Sequence, residues 1–483
     1  MENTEMITIS KAEYDTLVNT NALLKYQLSE LQRLIFGTKS ERFIAPNPEQ
    51  LSLFELPQEE ADEKPSEQIT YNRSKPEPKN HPLRLEIPAH LPRRIEIIEP
   101  EGLPENAKKI GETITEVLEY EAANIYVRQI VRPKYIIDQT DERTLIVTAD
   151  LPTLPIPKGN AGASMLAHIL VNKFVDHLPF YRQSQILKRQ KLHIPESTLG
   201  GWFNASCKLL EPLYEVLKTK ILATDYLMAD ETPLPVLTQD KPGATHKGYH
   251  WVYYDPVNRL VLFDYRKTRG REGPDELLKN FSGHLQTDGY TAYNNLTNKS
   301  QITQLACMAH ARRKFEHALE NDPKRAQLAL QMFGKLYDIE RHARMESLSE
   351  EAIKKLRQKE SKPLLTEIEV WLKENMHSTL PKSVIGKAIA YTLTLWPRLE
   401  RYVEQGRFQI DNNLIENSIR PVALGRKNYL FAGSHDAAKQ AAVIYSLLAT
   451  CKINNIEPFE WLTNTISKIP EHKANQLFSL LPV

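Results

Sequence analysis

The chain has 483 residues, with 62 Lys and Arg against 61 Asp and Glu, so a net charge of +1 excludes no class of partner and only local basic clusters can indicate one. Three widely spaced cysteines without a CxxC pair exclude a disulfide scaffold, and the lack of any apolar run of about 18 residues excludes a membrane-spanning helix. With no signal peptide at the N-terminus, we expect a cytoplasmic protein of about three domains.

The beginning of the chain shows heptad spacing. Leu17, Leu24 and Leu31 recur every seven residues, and Asn21 lies on the same seam. This pattern predicts a short self-associating coiled coil within 1–44, because a single seam Asn fixes register and strand number. An amphipathic helix that packs on its own domain is the alternative. Residues 45–82 are rich in Pro, Glu, Gln and Lys, which predicts a disordered linker.

Residues 83–156 are predicted to form a small β-rich module. Short alternating runs at 83–87, 94–98, 125–131 and 144–147 are separated by turn residues. The module contains no cysteine, and His90 stands alone, so we expect no metal in it.

Residues 157–215 are predicted to form a helical, DNA-binding-like module. Helices are expected from about Ser164, over 181–191, and after Pro195. The tight turn before the last helix resembles a helix-turn-helix, and a plain three-helix connector is the alternative. The candidate DNA contacts here are Arg182, Lys188 and Arg189.

Residues 216–322 change to an α/β pattern. A short apolar run at 226–229 leads to Asp230, a hairpin follows at 248–265, and a second short strand at 284–287 leads to Asp288. Another apolar run at 305–308 leads into a helix. This order predicts a mixed α/β sheet with an aspartate at each of two strand ends.

The remainder of the chain is predicted to be mostly helical. Residues 323–405 show a charged, amphipathic pattern with expected breaks at Pro363, Pro381 and Pro397, which indicates a helical insertion. The chain returns to the core at 406–435, and 436–483 form a helical tail.

The stretch 409–434 concentrates polar and basic groups. A helix is expected to begin at 411–413, because Asp and Asn favour helix starts, and to end near Arg420, because Pro421 follows. Glu416 lies on that helix. Taken alone, Glu416 fits a capping box with Asn413, or an ordinary ion pair with Arg420 one turn later.

Three carboxylates, those of Asp230, Asp288 and Glu416, form a set suited to two-metal phosphoryl transfer. Such sites hold two divalent ions about 4 Å apart, and oxygen ligands suit Mg²⁺ or Mn²⁺. Basic side chains near the acids would hold a polyanionic substrate. The candidate DNA contacts near the three acids are His310, Arg312, Arg313, Lys314, Arg420, Arg426 and Lys427.

Several motifs together resemble one known family. The quoted segments are ADETPLPVL (229–237), QTDGYTAYN (286–294), CMAHARRKF (307–315) and IDNNLIENSIRPVALGRKNYLFAGS (410–434). They resemble the insertion sequence 66 family of DDE transposases. Residues 31–43, 173–202 and 445–462 resemble further segments of the same family, so the likeness runs in order along most of the chain.

The resemblance implies a multidomain α/β protein with an RNase H-like catalytic core, built from 216–322 and 406–435. It implies that Asp230, Asp288 and Glu416 are the catalytic residues and the ligands of two Mg²⁺ or Mn²⁺ ions. Family members usually carry a CxxC…CxxC zinc module before this core. The corresponding residues here contain no cysteine, so no zinc is expected.

The implied activity is metal-dependent cleavage of DNA at the ends of an insertion sequence, with joining of the freed 3′-OH to target DNA. The expected partners are end and target DNA, at least one further copy of the chain, and accessory proteins of the same element, with no membrane; the protein would be nucleoid-associated. Two alternatives remain open: a nuclease of the same fold that does not join strands, and a catalytically silent DNA-binding protein.

Overall fold

The computed structural model describes residues 87–483, apart from 103, 105–106, 122–123, 140–143, 239–242 and 297–300. The coiled coil predicted within 1–44 and the linker predicted at 45–82 lie outside the described residues. Among the described residues, no helix combines the length and apolarity needed to cross a bilayer. The described residues form a mixed α/β structure with two mixed sheets, as expected for a multidomain α/β protein.

A four-stranded sheet comes first. Its strands are β1 (Arg93–Ile97), β2 (Lys108–Glu121), β3 (Asn124–Gln139) and β4 (Thr144–Thr148). Long β3 pairs antiparallel with β2 along one edge; its other edge pairs with β1 in parallel and then with β4 antiparallel. The prediction missed β2, whose consecutive Val117 and Leu118 are both fully buried on a strand that otherwise carries many charges. Alternation of polar and apolar residues is therefore weak in β2.

Three helices follow: α1 (Ala163–Phe174), α2 (Phe180–Arg189) and α3 (Glu196–Leu222). The side-chain amide of Gln183 donates to the backbone carbonyls of Ile169 and Leu178, so these two acceptors have a partner near the break between α1 and α2. Helix α3 is long and buries one face from Leu199 to Ile221. The expected domain boundary at residue 215 lies inside α3, which runs on to Leu222.

A five-stranded sheet forms the centre of the described structure. Its elements are β5 (Tyr226–Leu237), β6 (Thr245–Asp255), β7 (Leu260–Arg266), a short helix α4 (Glu272–Leu277), β8 (Gly283–Thr287) and β9 (Ile302–Ala306). The strand order is β7-β6-β5-β8-β9; β5, β8 and β9 are parallel, and β6 is antiparallel to both of its neighbours. The predicted short strand at 226–229 is longer than expected, because β5 pairs with β6 as far as Leu237.

The remaining elements are α5 (Met308–Glu316), α6 (Pro323–Met345), α7 (Glu350–Leu356), α8 (Lys362–Ser378), α9 (Val384–Leu399), α10 (Asn413–Tyr429), α11 (His435–Ile453) and α12 (Pro458–Lys468). Helices α3 and α11 pack against β7, and α10 packs against β5. Ser446 on α11 accepts a hydrogen bond from the Phe263 amide at 2.8 Å, so small polar residues bring α11 close to the sheet.

The predicted end of α10 near Arg420 is wrong, because the helix continues through Pro421 to Tyr429. A proline inside a helix removes one backbone hydrogen bond and costs about 3 kcal/mol. Burial of Val422 and Gly425 beyond it, together with the packing on β5, offsets that cost. Pro397 likewise lies inside α9, which ends at Leu399.

Candidate active site

The register of the central sheet brings the two predicted aspartates level with each other. Tyr226 on β5 lies opposite His284 on β8, and Met228 lies opposite Gln286. Continued by two residues, the same register places Asp230 beside Asp288, at the point where the two strands stop pairing. Neighbouring strands are about 4.8 Å apart, so these carboxylates belong to one site. Asp230 lies within β5 and not at its end, because β5 continues along β6.

Asp288 is held in a tight turn after β8. Its Oδ1 accepts a hydrogen bond from the Tyr290 amide at 2.8 Å, and its backbone carbonyl accepts one from the Tyr391 hydroxyl at 2.8 Å. Gly289 has a φ of +89°, and a Cβ atom there would lie 2.6 Å from Leu395 Cδ1. Tyr391 and Leu395 belong to α9, so the helical insertion supports the turn that carries Asp288.

Glu416 lies in the first turn of α10, and its carboxylate is free of the capping role. The Asn413 amide donates to Asp411 Oδ1 at 3.0 Å, so Asp411 makes the bond that the capping-box alternative assigned to Glu416. The start of α10 is anchored further by the Asn412 amide, which donates to Cys307 Sγ at 3.2 Å. Glu416 Oε1 is buried and has no hydrogen-bond partner among the described residues.

His310 faces the carboxylates from the first turn of α5. Its Nδ1 lies 4.0 Å from Glu416 Oε1, and this nitrogen is also buried without a hydrogen-bond partner in the described part of the chain. Burial lowers the pKa of His310, while the charges of Asp288 and Glu416 oppose that change. The structure therefore places His310 beside Glu416, and its predicted contact with DNA stays a prediction.

The Asp230 carboxylate is under the influence of the other acids. Burial is the largest cause that raises the pKa of Asp230, and the charges of Glu231, Asp288 and Glu416 raise it further. Several buried like charges are unfavourable unless they gain protons or a cation, which is a common property of functional sites. A bound divalent cation would reduce this repulsion between the carboxylates.

The donor set suits such an ion, since carboxylate oxygens are preferred by Mg²⁺ and Mn²⁺ and Glu416 Oε1 is unpaired. Within the described ranges, however, no three His, Cys, Asp or Glu side chains lie close enough together to hold one ion as they stand. Binding of an ion would therefore require the carboxylates to move closer together.

Glu231 lies on the opposite face of β5 and anchors a basic loop. Its Oε1 accepts a hydrogen bond from Arg269 Nε at 2.8 Å, and its Oε2 accepts one from the Tyr293 hydroxyl at 3.3 Å. The Arg269 guanidinium also lies 4.0 Å from the centre of the Tyr290 ring. Burial raises the pKa of Glu231 more than Arg269 lowers it. Arg269 was missed by sequence reasoning, although the basic run at 266–271 was a usable signal.

The predicted basic residues divide between α5, α2 and α10. On α5, Arg312 pairs with Glu316, Arg313 is exposed, and Lys314 lies over the Tyr391 ring. These side chains lie on the helix that carries His310.

The second basic group lies around the last turns of α10. Arg182 on α2 donates to Asn428 at 3.1 Å, while Arg420, Lys427, Lys188 and Arg189 are exposed. Arg426 donates to Thr232 Oγ1 at 2.9 Å and to the Pro233 carbonyl at 2.7 Å. Arg426 thus ties α10 to β5, and part of its expected DNA-binding capacity is used inside the protein.

Comparison with known proteins gives matches along most of the chain. The family model described as "Transposase IS66 family" matches residues 158–440, "Transposase C of IS166 homeodomain" matches 23–95, and "IS66 C-terminal element" matches 446–483. The uncharacterized protein y4qI of Sinorhizobium fredii is 33% identical over 98% of this chain and 90% of its own length. The uncharacterized protein y4jD of the same organism is 30% identical over 95% of this chain and 94% of its own length.

Proposed function

Because this chain belongs to the IS66 family of transposases, we propose that it cleaves DNA at the ends of its insertion sequence and joins the freed 3′-OH to target DNA. The observation that carries the proposal is that the charges of Asp288 and Glu416 both act on the carboxylate of Asp230, in a partly buried, like-charged cluster. A structural protein would gain nothing from such a cluster, because like charges in a buried site destabilise the fold.

The sheet supports an RNase H-like assignment of the core. Numbered along the chain from β5, its strands lie in the order third, second, first, fourth, fifth, and only the second (β6) runs antiparallel to the other four. Asp230 comes from the first strand (β5), and Asp288 directly follows the adjacent fourth strand (β8). The third acid, Glu416, comes from a helix packed on the first strand. The helical insertion at 323–405 then separates Asp288 from Glu416 in sequence while leaving them close in space.

Asp230, Asp288 and Glu416 would hold two Mg²⁺ or Mn²⁺ ions, which activate the attacking oxygen and stabilise the leaving oxygen when bound. Basic side chains of the protein would position DNA by contacting its phosphates. Arg269 is held beside Tyr290 by Glu231 and keeps 46% of its side chain exposed, so it would contact a phosphate without first being ordered. His310 would orient Glu416, its nearest carboxylate.

The other parts of the proposal concern assembly. We propose that the heptad segment within 1–44 pairs two copies of the chain, since two DNA ends must be brought together, and that accessory proteins of the element assist. The cysteine-free β-rich module is proposed to fold without zinc. DNA binding would then rest on the basic groups of α2, α5 and α10.

A strand-transfer assay tests the proposal, with labelled terminal DNA of the encoding element, a target plasmid and Mg²⁺. Cutting and joining are expected from the wild-type chain. Asp288→Asn should lower both by at least 1,000-fold, because it removes a charge that the ions require, and should leave DNA affinity within about twofold. Asp436→Asn, at an exposed position on α11, is the matched control and should keep full activity.

The remaining outcomes separate the alternatives. Cutting without joining would establish a nuclease, and binding alone would establish a silent DNA-binding protein. Full activity of Asp288→Asn would contradict the site assignment.

A further inference from the structure

Lys173, at the end of α1, is a half-buried cation with no hydrogen-bond or ion-pair partner among the described residues. Its ammonium lies 4.2 Å from the centre of the Phe180 ring and 5.0 Å from that of Tyr429. Burial lowers its pKa to about 8, and no carboxylate opposes that effect. A partly desolvated ammonium is costly, and contacts with two aromatic faces offset only part of the cost.

Lys173 lines a cavity of about 240 Å³, formed by α1, α2, α3, β5, α11 and the end of α10 with the segment that follows it. Its wall is mostly apolar and includes five aromatic rings, those of Phe174, Phe180, Phe203, Tyr429 and Phe431. The volume lies below the roughly 300–1,000 Å³ of pockets for drug-sized ligands, so it suits one small planar ring system. A phosphate or carboxylate fits poorly, because its remaining oxygens would face apolar rings without donors.

The opening of the cavity adjoins a basic surface. Leu430 has a φ of +63° and ends α10, which leaves Phe431 39% exposed at the rim. Arg182 is fixed beside this rim by its bond to Asn428. Glu416 and Tyr429 lie on the same helix, so the rim is about 20 Å from the acids at 1.5 Å per residue. That length corresponds to roughly six nucleotides of a stacked strand.

We propose that this cavity receives one unstacked nucleobase of the bound DNA, which takes the place of the Lys173 ammonium over the Phe180 and Tyr429 rings and accepts a hydrogen bond from that ammonium at a ring nitrogen or carbonyl oxygen. A nucleobase combines the flat π-face and the acceptor atoms that the wall and the lysine require. The inference rests on the proposed function, since it takes DNA as the ligand.

The test uses DNA hairpins with one unpaired 2-aminopurine, with the same position paired, and with an abasic site in its place. The full chain should bind the unpaired-base hairpin at least about fivefold more tightly than the other two, from the usual worth of base stacking on an aromatic side chain. Quenched 2-aminopurine emission should accompany binding. Equal affinity for the three hairpins would overturn the proposal, and this comparison needs no variant.

Variants test whether the preference for the unpaired base comes from the cavity. Lys173→Met and Phe180→Ala should each reduce the preference to within twofold of unity, whereas Lys439→Met, at an exposed lysine of α11, should keep it. A preference retained by both cavity variants would also overturn the proposal. The hairpins are compared in the Asp288→Asn background, so absence of cleavage by the wild-type chain would reject the proposed function without affecting this result.

Discussion

At the scale of single residues, His250 shows how a buried ionisable group makes stability depend on pH. It lies in the middle of β6, fully buried, and neither ring nitrogen has a hydrogen-bond partner among the described residues. Burial lowers its pKa to about 3, against about 6.5 in the unfolded chain. Between these values the unfolded state binds more protons, so stability is lost as the pH falls below about 6.5.

We therefore expect His250→Leu to flatten the acid side of the stability profile. From pH 7.5 to pH 5 the wild-type chain should lose about 2 kcal/mol through this group, at about 1.4 kcal/mol per pH unit below 6.5. Urea unfolding at both pH values measures the difference. His377→Gln, at an exposed position on α8, should leave the wild-type slope unchanged. An equal slope in His250→Leu would show that other groups control the acid response.

Residue identity alone was enough to select candidates for the site. Asp230, Asp288 and Glu416 come from their motifs, and in the structure the charges of Asp288 and Glu416 both raise the pKa of Asp230. The position of His310 could not be predicted, because it depends on the packing of the α10 start against Cys307, more than 100 residues earlier in the chain. The hydrogen bonds that Arg426 makes inside the protein could not be predicted either, because its acceptors lie on β5, far away in the sequence.

At the scale of elements, the turn after β8 depends on Gly289. Its positive φ is unfavourable for any residue with a Cβ atom, and that atom would also overlap Leu395. Gly289→Ala should destabilise the chain by about 1–3 kcal/mol and lower cleavage at least tenfold, because Asp288 would move with the turn. Gly334→Ala on α6 is the matched control.

That control position has open space around it and lies within a helix. Gly334→Ala should therefore stabilise the chain by about 0.5–1 kcal/mol and leave cleavage unchanged. Thermal unfolding and the cleavage assay measure both variants. A Gly289→Ala protein with unaltered cleavage would show that Asp288 tolerates movement of the turn.

Local signals located most strands and helices but not all their ends. The hairpin at 248–265 was predictable because turn residues separate two apolar runs. Helix α10 passes the local stop signal at Pro421 because its last turns are held by β5. The extension of β5 beyond Asp230 likewise comes from pairing with β6, a partner that local sequence does not reveal.

At the scale of the whole molecule, a buried ion pair connects the helical insertion to the active site. Arg357 donates to Glu340 at 2.7 Å, and also to the backbone carbonyls of Tyr402 and Gln405. The segment it holds continues directly to Asp411 and Glu416. The insertion thus supports both Asp288, through α9, and Glu416, through Arg357.

Arg357→Met should destabilise the chain by about 3–5 kcal/mol, because it leaves the buried Glu340 charge and two carbonyls without a donor. Cleavage should fall in proportion to the displacement of Glu416, even at a temperature where the variant stays folded. Arg341→Met is the control; it removes an ion pair with Asp338 in which both side chains are about 65% exposed. Its effect should stay below about 1 kcal/mol. Equal effects of the two variants would contradict the supporting role.

The position of the insertion also has a consequence for protein synthesis. About 130 residues separate Asp288 from Glu416, and most of them belong to the insertion. At the usual 5–20 residues per second, a ribosome needs roughly 6–26 s to add them. During that interval the nascent chain carries two of its three acids but lacks the third. A chain that terminates early within the insertion is therefore released without a complete set of acids, and translation must pass Glu416 before the proposed site is complete.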